Sequence, residues 1–370
     1  MSKKLTTPIT VILSFIFAIL GFAVGFVIDY TGFKGALVSD FYGGAIEFHF
    51  MELGNYKAGD CTLVKVGNTE VLIDAGSEEN SIDDITSYVD NYCTDGKLEY
   101  VIVTHAHEDH YACFTNGESY DNESLFNYYE IGTIIDFAQT NQKGSQYQRY
   151  LREREEAVTA GAVHYTAKEC RESGNYVFTL SDKVTMTILD QKFYYEPAST
   201  ENNHSVCTLF TCGEENFLFT GDLEHDGEKS LIELNDLPKV AMFKAGHHGS
   251  NTSNRANLMS VIQPEMVVVP CVAGSDEYSE IEANQFPTQN TIDNIAPYTE
   301  KVYITGLCTD EDDDLFTSFY GDIIVSSNGK QTTVTFSNEE YLRSDGSVIE
   351  LKYTEWFNNF RNMPTEWAIG

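Results

Sequence analysis

The stretch "THAHEDH", Thr104 to His110, constrains this chain more than any other. It packs three of the nine histidines and two carboxylates into seven residues. It follows "YVIV", Tyr100 to Val103, a short apolar run of β-branched and aromatic type that reads as a buried strand. The cluster therefore sits at the carboxyl end of a strand, where α/β folds place their chemistry. A solvated loop would not need such a strand in front of it. Imidazole and carboxylate suit borderline divalent metals such as zinc. His105 and His107 are two apart, so on an extended segment they point the same way. Asp109 and His110 follow at once and face a second direction as the chain turns. Two directions predict two metal sites side by side.

A metal pair needs ligands from elsewhere in the chain. "FLFTGDLE", Phe217 to Glu224, is an apolar strand ending in Gly221-Asp222, and one aspartate at a strand end can bridge two cations. "VAMFKAGHHGS", Val240 to Ser250, is a third strand, followed by His247-His248. Alone, the Gly-Asp pair is a weak signal and HHGS a moderate one. In this order behind THAHEDH, the constellation is strong.

The succession "HFMELGNYKAGDCTLVKVGNTEVLIDAG", "THAHEDH", "ENNHSV", "FLFTGDLE" and "KAGHHGS" resembles the metallo-β-lactamase-fold hydrolases. More narrowly, it is similar to the branch that holds the ComEC hydrolase domain and the teichoic acid phosphorylcholine esterases. The resemblance runs from about Ile46 to about Phe336. It implies His105 and His107 as ligands of a first metal, and Asp109 and His110 as ligands of a second. Asp222 matches the bridging aspartate. One histidine of His247-His248 matches the last ligand. His248 is favoured, with His247 turned toward the anionic group of the substrate, and the reverse assignment stays open. Asp109 and His247 are the residues placed in catalysis, and Asp74, closing "VLIDAG", supports the metal loop from behind. The implied cofactors are two divalent ions, zinc first and manganese second.

One departure stands out. Many members of this fold supply a further histidine just before the strand that precedes Gly-Asp. Here the stretch reads "ENNHSVCTLF", and Asn202-Asn203 fit the ComEC-like pattern. His204 is extra, and it either ligates the first metal or lines the cleft beside Asn203. Without it the first metal has fewer protein ligands and is held more weakly.

The implied architecture is α/β, a four-layer αββα sandwich preceded by one transmembrane helix. "CTLVKVGNTEVLID" alternates and turns at Gly67-Asn68, a hairpin. "SIDDITSYVDNYC" sets Ile82, Ile85, Val89 and Tyr92 on one helix face, with Ser81 as cap. Glu153 to Ala160 reads as part of a helix. It lies in a less regular stretch, Gly117 to Asn175, expected to form loops and helices over the cleft. "SVCTLFTCGEENFLFTGD" is a second hairpin, and Met266 to Pro270, Val302 to Thr305 and "DIIVSSNGKQTTVTF" continue the strands. "TDEDDD", Thr309 to Asp314, is a solvated loop, with calcium binding the weaker alternative. The expected organisation is a cytoplasmic stub over 1–8, an anchor over 9–28, a linker over 29–45, the hydrolase domain over 46–340 and a C-terminal extension over 341–370.

Ile9 to Ile28 carries no charge over twenty residues, about 30 Å of helix, the thickness of a bilayer's hydrocarbon core. Lys3 and Lys4 precede it, which predicts a cytoplasmic amino terminus and an extracellular domain at the cell membrane. A cleaved signal peptide is the rival, though the run is long for one. Lysines and arginines number 23 against 57 acids, a net charge of −34. A protein that grips long nucleic acid normally shows a basic face. The acidity suits a small substrate or one with a cationic head, and solubility is its simpler cause. The eight cysteines show no CxxC spacing, and most lie in apolar runs. Cys113, in "HYACF", reads as a wall of the site rather than a ligand.

The expected function is a membrane-anchored extracellular phosphodiesterase, dependent on two metals, acting on a small or cell-wall phosphoester. An extracellular nuclease like the ComEC domain is the alternative, disfavoured by the acidity. A non-enzymatic metal-binding domain is the least expected, because six of the usual seven ligands are kept.

Overall fold

A computed structural model describes residues 45–117, 122–308, 316–338, 342 and 348–369. The apolar run Ile9–Ile28, the stub, the linker up to residue 44 and "TDEDDD" lie outside the described residues. Among the described residues no helix is long and apolar enough to cross a membrane.

Two eight-stranded sheets lie face to face. The first takes β1 (Ile46–Phe50), β2 (Thr62–Val66), β3 (Thr69–Ile73), β4 (Lys97–Val103), β5 (Glu130–Asp136) and β6 (Val163–Thr166). The second takes β7 (Val177–Thr179), β8 (Val184–Ile188), β9 (Thr208–Cys212), β10 (Glu215–Phe219), β11 (Met242–Lys244), β12 (Val267–Ala273), β13 (Val302–Cys308) and β14 (Phe316–Ser318). The chain then returns through β15 (Ile323–Ser327) and β16 (Thr332–Phe336), which add to the first sheet beside β1. Both predicted hairpins form, β2–β3 and β9–β10.

The strands differ as their places demand. β8 alternates, burying Val184, Met186 and Ile188 and leaving its threonines half-buried, the pattern of an antiparallel strand with one wetter face. β12 is buried at every position, as a parallel strand covered on both faces must be. The two sheets meet through aromatic rings: Phe48 of β1 lies 5.4, 4.7 and 5.5 Å from Phe210, Phe217 and Phe219. Each such pair adds roughly 0.5–1.5 kcal/mol beyond the area it buries.

Each sheet has a parallel core, β3 to β6 in one and β10 to β13 in the other. Their carboxyl ends come together at one rim, where the Val206 amide donates to the Thr104 carbonyl at 2.8 Å. Ligands sent out from both sheets can therefore converge.

Three expectations change. The stretch from Gly117 to Asn175 holds two strands of the parallel core, β5 and β6, besides the helix Ser145–Ala160. β5 is masked in the sequence by Gly132. A Cβ there would lie 2.6 Å from the Glu99 carbonyl oxygen of β4, so the close strand approach admits only glycine. The helix is longer than Glu153–Ala160 because its buried stripe contains Arg149 and Glu153, which break the apolar period. Ser81 does not cap the helix Ile82–Val89. It already has helical φ and ψ at the end of a preceding turn, and its hydroxyl donates to the Leu53 carbonyl at 3.0 Å.

Residues 45–370 form one compact unit. Within the 341–370 stretch, Trp356, Phe357 and Trp367 are buried in the core. Arg361 donates to the carbonyls of Pro287 and Gln285 at 2.9 and 2.6 Å.

Candidate metal centre

The first ligand loop leaves β4 at Val103. Asp74, at the end of β3, seizes its first residue: the Thr104 amide and hydroxyl donate to the two Asp74 oxygens at 2.7 and 2.8 Å. The same Asp74 carboxylate lies 2.8 Å from Nδ1 of His110. A carboxylate on one ring nitrogen fixes the imidazole and turns Nε2 toward the centre. Asp74 does this from a left-handed backbone, φ 57°. Between His105 and His107, the Ala106 amide donates to Glu201 at 3.1 Å, and Glu201 also takes the Thr140 hydroxyl and the Asn141 amide at 3.0 and 2.5 Å. So clamped, Nε2 of His105 and Nδ1 of His107 stand 3.0 Å apart.

Asp222 follows β10 through Gly221, φ 53°. A Cβ at Gly221 would lie 2.8 Å from the Ser205 hydroxyl and 2.9 Å from Cβ of Thr104, so a side chain there would push the two loops apart. One oxygen of Asp222, Oδ2, faces four histidines. It lies 3.3 Å from Nε2 of His110, 3.6 Å from Nε2 of His248, and 4.0 Å from Nε2 of both His105 and His247.

The third loop leaves β11. His247 and His248 both have φ 49°, a region that non-glycine residues enter only when the surroundings force them. Asn254 forces this turn, bonding the Gly246 amide and carbonyl at 2.8 Å each. The Thr288 and Thr291 hydroxyls hold the Gly249 carbonyl at 3.1 and 2.9 Å. His248 is fully buried, with Nδ1 3.1 Å from the Pro270 carbonyl and Nε2 3.3 Å from Oδ2 of Asp109. His247 stays partly exposed at the rim, its Nδ1 3.0 Å from the Thr252 hydroxyl.

The electrostatics suit a cation. Burial alone would raise the Asp222 and Asp109 carboxyls, but His110 and His248 hold both below the usual carboxylate range. Burial pushes His105 well below its ordinary value, and the nearby His110 adds to that, so its imidazole is neutral. His110 is held well above the imidazole range: burial opposes its charge, and Asp222, Asp74 and Asp109 override it. Ionised carboxylates and neutral imidazoles are the forms that ligate, and a metal takes the place of a proton such as that on His110. Nε2 of His110 and Oδ1 of Asp222 are buried without a hydrogen bond, as is Oδ1 of Asp60. Buried polar atoms left without partners are costly, and a bound divalent ion would satisfy the ligand nitrogen. Asp60, His110, Asp222 and His248 offer ligand atoms that all lie within 4.8 Å of one another. The donor set therefore fits a divalent metal.

Of the residues singled out from the sequence, His105, His107, Asp109, His110, Asp222, His247 and His248 gather here, with Asp74 behind them. His204 and Asn203 turn elsewhere. Nδ1 of His204 lies 3.4 Å from the Phe193 carbonyl. The Asn203 side chain accepts from the Glu224 amide at 3.1 Å. It is Asn202 that reaches the site, 3.3 Å from Nδ1 of His247. Cys113 is buried, with its sulfur 3.3 Å from the Glu78 carbonyl.

Four residues escaped sequence reading. Glu201 clamps the first loop. Asp60 borders the ligand set, and Lys244, buried at the end of β11, makes an ion pair with it. Burial disfavours the Lys244 ammonium, yet Asp60 and Asp222 hold it above its ordinary value. Tyr278 donates its hydroxyl to Oδ2 of Asp109 at 2.7 Å. Two signals were available: Gly59-Asp60 precedes a strand much as Gly221-Asp222 follows one, and Lys244 is a charge inside an apolar run. For Tyr278 there was none.

Residues 55–115 match the model of the metallo-beta-lactamase superfamily. ComE operon protein 3 of Bacillus subtilis is 29% identical over 105 residues, which is 27% of this chain and 13% of that protein. Recombination protein 2 of Haemophilus influenzae is 35% identical over 69 residues, 19% of this chain and 8% of that protein. The matches thus span a small part of either relative. Among solved structures, the metallo-beta-lactamase fold protein YhfI from Bacillus subtilis is similar at 12% identity and a TM-score of 0.40, over 73% of this chain and 98% of that one.

Proposed function

We propose, from the premise that this chain carries a metallo-beta-lactamase superfamily domain, that it is a phosphodiesterase dependent on two metals. Its substrate is a small or cell-wall phosphoester, and the run Ile9–Ile28 anchors it with the domain outside the cell. The observation that carries the metal dependence is the single Asp222 oxygen surrounded by four histidines. His105 and His107 would hold one metal, and Asp109, His110 and His248 the other, with Asp222 available to both. Divalent metals held there supply Lewis-acid activation of water and charge neutralisation at a phosphoryl oxygen.

The chain's own groups do the rest. Burial keeps His247 neutral, and its Nδ1 meets the Thr252 hydroxyl and the Asn202 amide. With Nδ1 accepting, Nε2 carries the proton at the rim of the centre, 4.0 Å from Oδ2 of Asp222, where it can hold a substrate oxygen. Burial and the adjacent Asp109 lift the Tyr278 hydroxyl far above its usual range, so it too remains a donor. Beside Tyr278 opens a groove of about 500 Å³ lined by Tyr56, Lys57, Asp276, Glu277, Ser279 and Glu280. Three acids against one lysine disfavour a long polyanion and suit a small or zwitterionic ester.

A second reading is cleavage of DNA, which the resemblance to the ComEC hydrolase domain implies. One measurement separates them: kcat/KM against ionic strength for a phosphocholine-type ester and for single-stranded DNA, with an aryl phosphodiester and a β-lactam alongside. Repulsion from an acidic domain is screened within about 10 Å at 0.1 M salt. Turnover of the zwitterionic ester should hardly change with salt, while any DNA cleavage should rise. DNA cleavage that is efficient and fastest at low salt puts the nuclease first. No turnover of any phosphoester ends the phosphodiesterase reading.

A further inference from the structure

The centre contains a cation of its own. Lys244 ends β11, and its buried ammonium pairs with Asp60 and lies 3.9 Å from Oδ1 of Asp222. The two oxygens of Asp222 are thereby sorted: Oδ2 faces the histidines, and Oδ1 faces the lysine. Asp60 is equally divided, with Oδ2 on Lys244 and Oδ1 3.6 Å from Nδ1 of His248. Its backbone is fixed independently of that pairing. The Asp60 amide donates to the Asp109 carbonyl at 3.0 Å, and its carbonyl accepts from Gly76 at 3.1 Å. Asp60 is thus held beside His248 and His110, its Oδ2 3.7 Å from Nδ1 of His110, by a backbone that does not depend on Lys244.

We propose that Lys244 is a built-in cation of the metal centre that withholds Asp60 and Oδ1 of Asp222 from the metals, so that Asp60 serves as its counterion and not as a ligand. The physical reason is charge. Each added carboxylate ligand binds a divalent ion more tightly and leaves it a weaker Lewis acid. An ammonium engaged with two of the carboxylates limits how many reach the ion. Asp60 in turn cancels the repulsion that an isolated ammonium would exert on a divalent cation a few ångströms away. Lys244 and Asp60 are positioning residues: neither is placed against substrate.

The inference rests on the metal binding proposed above and not on the substrate. The test is zinc retention by the full-length chain, read by elemental analysis and by the rate at which a chelator strips the metal. In Lys244→Met, Asp60 is released to the metal, and zinc should be lost about tenfold more slowly or slower still. In Asp60→Asn the ammonium is uncompensated, and zinc should be lost about tenfold faster. The double variant should return close to wild type. Opposite signs are the signature, because a pair that only braced the fold would make both single variants leak. A wild-type chain that takes up no zinc sinks the metal-dependent reading itself. A wild type that holds zinc, with both single variants losing it equally fast, overturns only the role of Lys244. If Lys244→Met fails to fold, the double variant must still hold zinc more firmly than Asp60→Asn, and equal retention overturns the proposal.

Discussion

Val103 and Asp136 are register partners at the ends of β4 and β5, and each opens onto a buried cluster of acid, base and tyrosine. Asp136 is saturated. Oδ1 meets Nε2 of His164 at 2.8 Å, and Oδ2 takes Arg154 at 2.8 Å and the Tyr150 hydroxyl at 3.0 Å. One residue beyond Val103, the neighbouring cluster is built in the opposite way. There His110, Asp222 and Asp60 each keep a buried atom without a hydrogen bond, and histidine nitrogens face one another at 3.0 Å. The two clusters use nearly the same residue types. What separates them is which atoms go unsatisfied: around Asp136 the carboxylate is fully paired and the unpartnered atom is Nε of Arg154, whereas the other cluster leaves carboxylate and imidazole atoms aimed at a common point and is made for something else.

The sharpest way to break that contrast is to remove the centre of each. Asp222→Ala should cut hydrolysis by on the order of a thousandfold or more, with metal content falling and the melting temperature of the metal-free chain little changed. Elemental analysis beside the rate assay checks it, and a variant that keeps its metal and its activity would dissolve the distinction.

Asp136→Asn should do the reverse. It leaves His164 without its anion and Arg154 with only the exposed Glu155, at a cost of about 2–3 kcal/mol, below the value for a fully buried pair because Arg154 and His164 reach solvent. Metal content and turnover should stay at wild-type levels. Denaturant unfolding measures the first and elemental analysis the second. Loss of metal without loss of stability would mean that Asp136 belongs to the functional centre after all.

The same contrast explains what could be read from the sequence. His105, His107, Asp109 and His110 lie in one run, and His247-His248 in another, so unsatisfied ligand types were visible side by side. Asp222 was visible through its glycine and the strand before it. Asp60 and Lys244 left only faint signals, a Gly-Asp before a strand and a charge inside an apolar run, because their meaning is a contact across 184 positions. Tyr278 meets Asp109 across 169 positions from a loop with no pattern at all. Both sheets were legible where strands alternate or run apolar, as at β8 and β12. β5 was lost because Gly132, which its packing requires, is the residue that most weakens a strand signal.

Each cluster also has a tyrosine that donates to its aspartate, and this offers the finest comparison. Tyr150 is wholly buried and 3.0 Å from Asp136, while Tyr278 is 49% exposed and 2.7 Å from Asp109. Removing the Tyr150 hydroxyl takes one of two donors from Oδ2 of Asp136 in the interior, so Tyr150→Phe should lower stability by about 1 kcal/mol and leave turnover alone. Tyr278 stands at the open edge, where water can replace the lost hydrogen bond, so Tyr278→Phe should change stability by less than about 0.5 kcal/mol. Its hydroxyl touches the Asp109 oxygen that also meets His248, the oxygen turned toward the ligand set. Its one proton is given to Asp109, so it acts on turnover by orienting that carboxylate. Losing that orientation should lower kcat about tenfold, with metal content and KM near wild type. Steady-state kinetics on the metal-loaded variant decides it. If Tyr278→Phe instead sheds metal while kcat per bound metal is unchanged, Tyr278 serves Asp109 as Tyr150 serves Asp136, and the two clusters differ less than their unsatisfied atoms suggest.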